Sequence, residues 1–153
     1  MRALEPWVAA PLQTFIDESS ARLILLMTTS GQVVAQHGFS RSVEVMTAAA
    51  LGAAIVASTE ELAKIMGSPR FAALVHGGNK QSCMLSAFGT PRGRWIGLVV
   101  FGSETSVGLV QLFFDQMVEQ LVSAAPRDQA QPAPLPEQFE KELQTSLKEL
   151  FGR

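Results

Sequence analysis

The apolar positions Val8, Leu12, Phe15 and Ile16 recur at i, i+4, i+7 and i+8, the stripe of an amphipathic helix that stops near Ser19–Ser20. Pro11 places the start of that helix just before it, because only the first turn accepts proline without a kink. A continuous apolar run follows, Leu23-Ile-Leu-Leu-Met27, then the turn residues Thr28-Thr-Ser-Gly31, then Val33-Val-Ala-Gln-His37. This pattern predicts a β-hairpin whose first strand is buried on both faces.

From Ser42, a suitable N-cap, to Gly67, a suitable terminating glycine, the chain has no proline and much alanine, which predicts one long helix. Leu51, Ile55, Leu62 and Met66 form a large-residue stripe expected to pack on a sheet, and Ala50, Ala54, Ala57 and Glu61 lie on another side, where small side chains let a second backbone approach. Phe71–His76, Cys83–Phe88 and Trp95–Phe101 read as three short strands, separated by Gly77-Gly-Asn-Lys80 and Gly89-Thr-Pro-Arg-Gly93. Thr105 or Ser106 can cap a third helix carrying Val107, Val110, Phe114, Met117, Val118 and Leu121.

The predicted order is α-β-β-α-β-β-β-α over residues 1–123, an α/β (α+β) domain. Residues 124–136 contain Pro126, Pro132, Pro134 and Pro136 among Ala and Gln and read as a linker. Residues 137–153 read as a C-terminal amphipathic helix, with Phe139, Leu143, Leu147, Leu150 and Phe151 on one stripe. A helix of about 15 residues is marginal alone in water. Two fates are open for its stripe, folding back on its own domain or engaging a partner.

Composition changes this picture in one respect. Of 153 residues 47% are hydrophobic and only 17% charged, less charge than an average domain carries, so the chain either buries an unusual share of itself or offers apolar surface to a partner. The net charge of -2, with no basic stripe, argues against nucleic acid and against a polybasic membrane contact. The apolar run Ala48–Ala57, interrupted by Gly52, is shorter than the roughly 20 residues a membrane span needs. With a single cysteine and no signal-type N-terminus, the cytoplasm is the expected location.

Candidate chemistry is sparse. Cys83 falls inside a predicted strand and reads as a core cysteine, not as a nucleophile. His37 and His76 have no Cys, Asp or Glu at ligand spacing, so no metal and no cofactor is expected. Gly77-Gly-Asn-Lys80 matches no phosphate-binding pattern and reads as a tight turn with positive φ. Acidic residues are not paired across a cleft, and the chain is expected not to be an enzyme. Arg92 and Arg94 sit in a hairpin loop, either as a solvated tip or as arginine fingers aimed at a GTPase.

The element order, the alanine-rich middle helix and the stretches Leu62-Ala-Lys-Ile-Met-Gly67, Val75-His-Gly-Gly78 and Thr105-Ser-Val-Gly-Leu-Val-Gln-Leu112 together resemble the dynein light chain roadblock family, and within it the bacterial MglB-type members. The resemblance implies one five-stranded antiparallel sheet, with the middle helix on one face and the terminal helices on the other. It implies a homodimer joined at sheet edges and middle helices, and a Ras-like small GTPase of the MglA type as partner, its hydrolysis stimulated without a donated catalytic residue. Ala50, Ala54, Ala57 and Glu61 would then meet the GTPase, and the stripe Phe139, Leu143, Leu147, Leu150 and Phe151 would add a second contact. A scaffold or adaptor for polarity or motility complexes, with no effect on nucleotide turnover, is the alternative. Glu60-Glu61 stands where such sequences continue small residues, and would bring a desolvation cost to a close-packed surface unless basic groups oppose it.

Overall fold

A computed structural model of the chain describes residues 2–3, 6–39, 43–126 and 144–150. The elements run β1 (Arg2–Ala3), α1 (Pro6–Ser19), β2 (Leu23–Thr28), β3 (Val33–Gly38), α2 (Val45–Ile65), β4 (Leu74–His76), β5 (Ser82–Thr90), β6 (Gly93–Phe101) and α3 (Val107–Ala124). Residues 144–150 are helical as well. The five predicted strands form one antiparallel sheet in the order β3-β2-β6-β5-β4, and β1 adds two residues to its edge by pairing with Gln36 and Ala35 of β3. A two-residue strand carries no periodicity, so nothing in the pattern announced β1.

Alternation along the central strands separates two cores. Ile24 and Leu26 of β2, Met84 and Phe88 of β5, and Trp95, Val99 and Phe101 of β6 face α1 and α3. Leu23, Leu25 and Met27, Leu85, and Ile96, Leu98 and Val100 face α2. The register Leu25↔Leu98↔Leu85 sets one such row across three strands. β2 is buried on both faces, as its unbroken apolar run requires.

On the first face, α1 supplies Val8, Leu12 and Phe15, and α3 supplies Val110, Phe114, Met117 and Leu121. Phe114 lies over Gly97, where a Cβ would come within 2.5 Å of its ring, and stands edge-on to both Phe15 and Phe88. Trp7 of α1 stacks on Trp95 at 5.6 Å between centroids. Ser106, one of the two expected caps of α3, accepts the amide of Leu109 at 3.3 Å. Arg22, just before β2, reaches Glu104 in the β6–α3 loop at 2.9 Å and ties this helix layer to the sheet.

Three local expectations are corrected. Pro11 is not in the first turn: α1 starts at Pro6, which takes that place, and Pro11 lies inside the helix with its ring buried. The N-cap of α2 is Glu44, not Ser42, which falls outside the described residues; the Glu44 carboxylate accepts the amide of Thr47 at 2.9 Å. Gly77 and Gly78 do not have positive φ. Gly78 is required by space instead, since a Cβ there would collide with the carbonyl oxygen of Gln81.

Candidate partner-binding face

Alanine favours helix at almost no side-chain entropy cost, and α2 runs through 21 residues on that basis. It ends where Met66 and Gly67 turn their amides back to Leu62 and Lys64, Gly67 taking φ +63, and Ser68 closes onto the Ala63 carbonyl. The residues it fully buries are Ala49, Gly52, Ala53 and Ala63. None is larger than alanine. A Cβ on Gly52 would stand 3.2 Å from the Met27 sulfur and 3.3 Å from Leu85, so the missing side chain is what lets the helix lie this close to the sheet.

This packing overturns most of the large-residue stripe expected on the sheet. Leu51, Leu62 and Met66, assigned to the sheet side, are 59%, 51% and 60% exposed, whereas Ile55, assigned there too, is partly buried and packs against the core. Small residues went inward because the close approach leaves no room for large ones, and the large ones were displaced to solvent. Ala50, Ala54, Ala57 and Glu61 are exposed on the same outer surface as Leu51, Leu62 and Ile65. The surface is therefore a wide apolar face with an alanine centre and a leucine flank. α2 has the length and apolar composition of a membrane crossing, more than the Ala48–Ala57 run suggested, yet its small-residue side lies on the sheet.

The face continues to a sheet edge. β4 is three residues long and pairs with β5, leaving its outer side as the end of the sheet, with Val75 and His76 exposed. Between this edge and the start of α2 lies a groove of about 420 Å³, floored by Val43, Ala48, Leu98 and Val100 and rimmed by His76 and Gln81.

The two adjacent glutamates separate. Glu60 turns inward and pairs with Arg94 of β6, the two side chains 28% and 29% exposed. Glu61 stays on the surface and pairs with Lys64 at 3.1 Å. Neighbouring helix residues are about 100° apart, so at the border of the buried face one can turn to the sheet while the next stays outside. The expected pair of carboxylates on the close-packed surface is thus reduced to one, already opposed by a lysine. Arg94 is neither a solvated tip nor a free finger, because its guanidinium is engaged by Glu60. Arg92 is exposed in the β5–β6 turn, where its amide donates to Thr90 Oγ1.

Cys83 is half-buried on β5 at the wall of the groove, not in the closed core as expected. Burial pushes its thiol pKa up, which opposes thiolate formation. His76 pairs opposite Cys83 across the strands, and His37 lies opposite Ile24. Among the described residues no group of three or more His, Cys, Asp or Glu is placed to hold a metal ion. Leu147 and Leu150 are exposed, and Phe139, Leu143 and Phe151 lie outside the described residues. The sequence reading missed the Glu60–Arg94 pair, which joins positions far apart in the chain; the helical angle between Glu60 and Glu61 was the available signal that they part.

Neither a protein-family model nor a curated protein matches the chain. Among solved structures it is similar to MglB of Myxococcus xanthus, at 25% identity and a TM-score of 0.70, over 78% of this chain and 95% of that one. The gliding protein MglB of Thermus thermophilus is similar at 27% identity and a TM-score of 0.67, over 78% and 88%. A roadblock/LC7 domain from Streptomyces avermitilis, at 14% identity, a TM-score of 0.61 and coverage of 71% and 89%, shares the fold. With the middle helix on one side of the antiparallel sheet and α1 and α3 on the other, the chain has a roadblock-family fold close to that of MglB.

Proposed function

We propose that this chain is a cytoplasmic, non-catalytic regulator of the MglB kind, which dimerises and binds a Ras-like small GTPase of the MglA type in control of cell polarity or motility. The observation that carries the reading is the outer face of α2, where Leu51, Leu62 and Ile65 stand in solvent around Ala50, Ala54 and Ala57. Apolar surface of this extent on a helix that buries only alanine and glycine against its own sheet is interaction surface. The β4 edge beside it supplies unpaired backbone groups for a second copy, joining sheet to sheet.

In the dimer, Ala50, Ala54, Ala57 and Glu61 of paired helices meet the GTPase. Hydrolysis is stimulated by selecting the catalytically arranged state of the GTPase, a population shift that needs no residue from this chain in the reaction. The engaged state of Arg94 supports a mechanism without an arginine finger. The tail stripe Phe139, Leu143, Leu147, Leu150 and Phe151 adds a tethered contact, and the exposure of Leu147 and Leu150 supports a partner as its target.

The test is single-turnover GTP hydrolysis by a Ras-like GTPase of the MglA type from the same organism, with and without this protein, alongside binding to the GDP and GTP-analogue forms. Acceleration by orders of magnitude with GTP-selective binding is the expected result. GTP-selective binding without acceleration would make the chain a scaffold, and no binding to either form would overturn the GTPase assignment.

A further inference from the structure

The C-terminal half of α2 has little to hold it. From Ser58 onward Ala63 is its one fully buried residue, and Glu61, Leu62, Lys64 and Ile65 are exposed. Thr59 turns its hydroxyl back to the Ile55 carbonyl at 2.8 Å, so its polar group is spent within the helix. What does cross from this half to the strands is the Glu60–Arg94 ion pair, set against Val56, Leu74, Leu85 and Ala87 beside a void of about 20 Å³. Arg94 sits next to the β5–β6 turn, with its side chain on the same sheet face as Ile96 and Leu98.

We propose that Glu60 and Arg94 are a positioning pair: they pin the C-terminal half of α2 to the β5–β6 hairpin and thereby set the orientation in which Ala57, Glu61 and Leu62 are presented to a partner. This rests on the reading of the outer α2 face as the partner surface, and it concerns residues turned from that face toward the sheet. The physical basis is that two opposite charges drawn partly out of water hold each other more firmly than they would at the surface. Methyl groups on alanine can slide along an apolar wall at little cost, whereas this attraction holds the helix at the place where the two charges meet. Removing one partner leaves the other charge partly desolvated and unopposed, so the helix end moves outward to rehydrate it.

The experiment uses the full chain with Glu60→Gln, Arg94→Gln, and the charge exchange Glu60→Arg with Arg94→Glu. Amide hydrogen exchange is followed over residues 57–66 and over β2 and β6, and affinity for the GTP-analogue form of the GTPase is measured well below the melting temperature. Each single variant is expected to exchange faster over 57–66 with β2 and β6 unchanged, and to bind the GTPase about five- to tenfold more weakly, with the charge exchange restoring both toward wild type. Unchanged protection over 57–66 in the single variants overturns the proposal, as does loosening of α2 with no change in affinity. Loss of protection throughout the sheet would show a general stabilising role and would overturn it too. If the wild-type chain binds no GTPase, the proposed function fails on that arm, while the exchange arm still decides whether the pair pins the helix.

Discussion

The two faces of the sheet are finished differently. On one, α1 and α3 bury Leu12, Phe15, Phe114, Met117 and Leu121 against Ile24, Leu26, Trp95 and Val99, with four aromatic contacts among Trp7, Phe15, Phe88, Trp95 and Phe114. On the other, α2 lays alanine and glycine on the strands and turns its leucines outward. Large side chains on the first face make stability within the chain; small ones on the second let the helix sit low and keep its large residues for another surface. One sheet thus separates folding from recognition, and substitutions on the two sides should have opposite signatures.

The largest effect is expected where the first face is densest. Phe114→Ala removes the ring that fills the space over Gly97 and breaks edge-on contacts with Phe15 and Phe88. A loss of about 3–5 kcal/mol in unfolding free energy is expected from denaturant titration. If the loss were below about 1 kcal/mol, this face would not be the stabilising one and the comparison would fail.

Leu62→Asp tests the other side. Leu62 is exposed, so unfolding of the dilute monomer should change by no more than about 0.5 kcal/mol. Sedimentation at higher concentration should show loss of self-association, because a carboxylate introduced at a close-packed apolar surface must be desolvated without a partner. Because any ligand or second subunit that binds the folded state stabilises it, the two measurements need separate concentrations. A variant that lost stability as a monomer and still associated would reverse the assignment of the two faces.

Which parts of this division could be read from the chain follows from the range of the forces involved. The strands β2, β5 and β6 were legible because alternation and unbroken apolar runs are local, and the Ser106 cap because a serine before Val107 needs only its own turn. The orientation of α2 was not, since the rule that large apolar residues face the core assumes room between helix and sheet. Gly52 removes that room, and its effect depends on Met27 and Leu85, distant in sequence. Ala50, Ala54, Ala57 and Glu61 were nonetheless placed on the outer side, because residues at i, i+4, i+7 and i+11 share a stripe whichever way the helix turns. Arg94 looked like a loop arginine until Glu60 was brought beneath it.

The smallest effect sharpens the comparison through pH, because each helix layer has one exposed carboxylate latch. The Arg22 guanidinium, hydrogen-bonded to Glu104 and tying the β6–α3 loop to the sheet, holds that carboxyl below the usual range, and the Thr47 hydrogen bond does the same for Glu44 at the start of α2. A carboxyl whose folded pKa is depressed stabilises the fold at pH values above its unfolded pKa, and that contribution is lost as pH falls through the folded pKa. Both latches are therefore intact at neutral pH and open in acid below the ordinary carboxylate range. Their consequences should differ. Opening Glu104 leaves α3 held by Val110, Phe114, Met117 and Leu121, so amide protection of α3 should barely change. Opening Glu44 frees the first turn of a helix whose nearest fully buried residue is Ala49, so protection of residues 45–48 should fall with acid and should lose that pH dependence in Glu44→Gln. Equal acid sensitivity at the starts of α2 and α3 would mean that the two layers are held alike, against the division drawn from their packing.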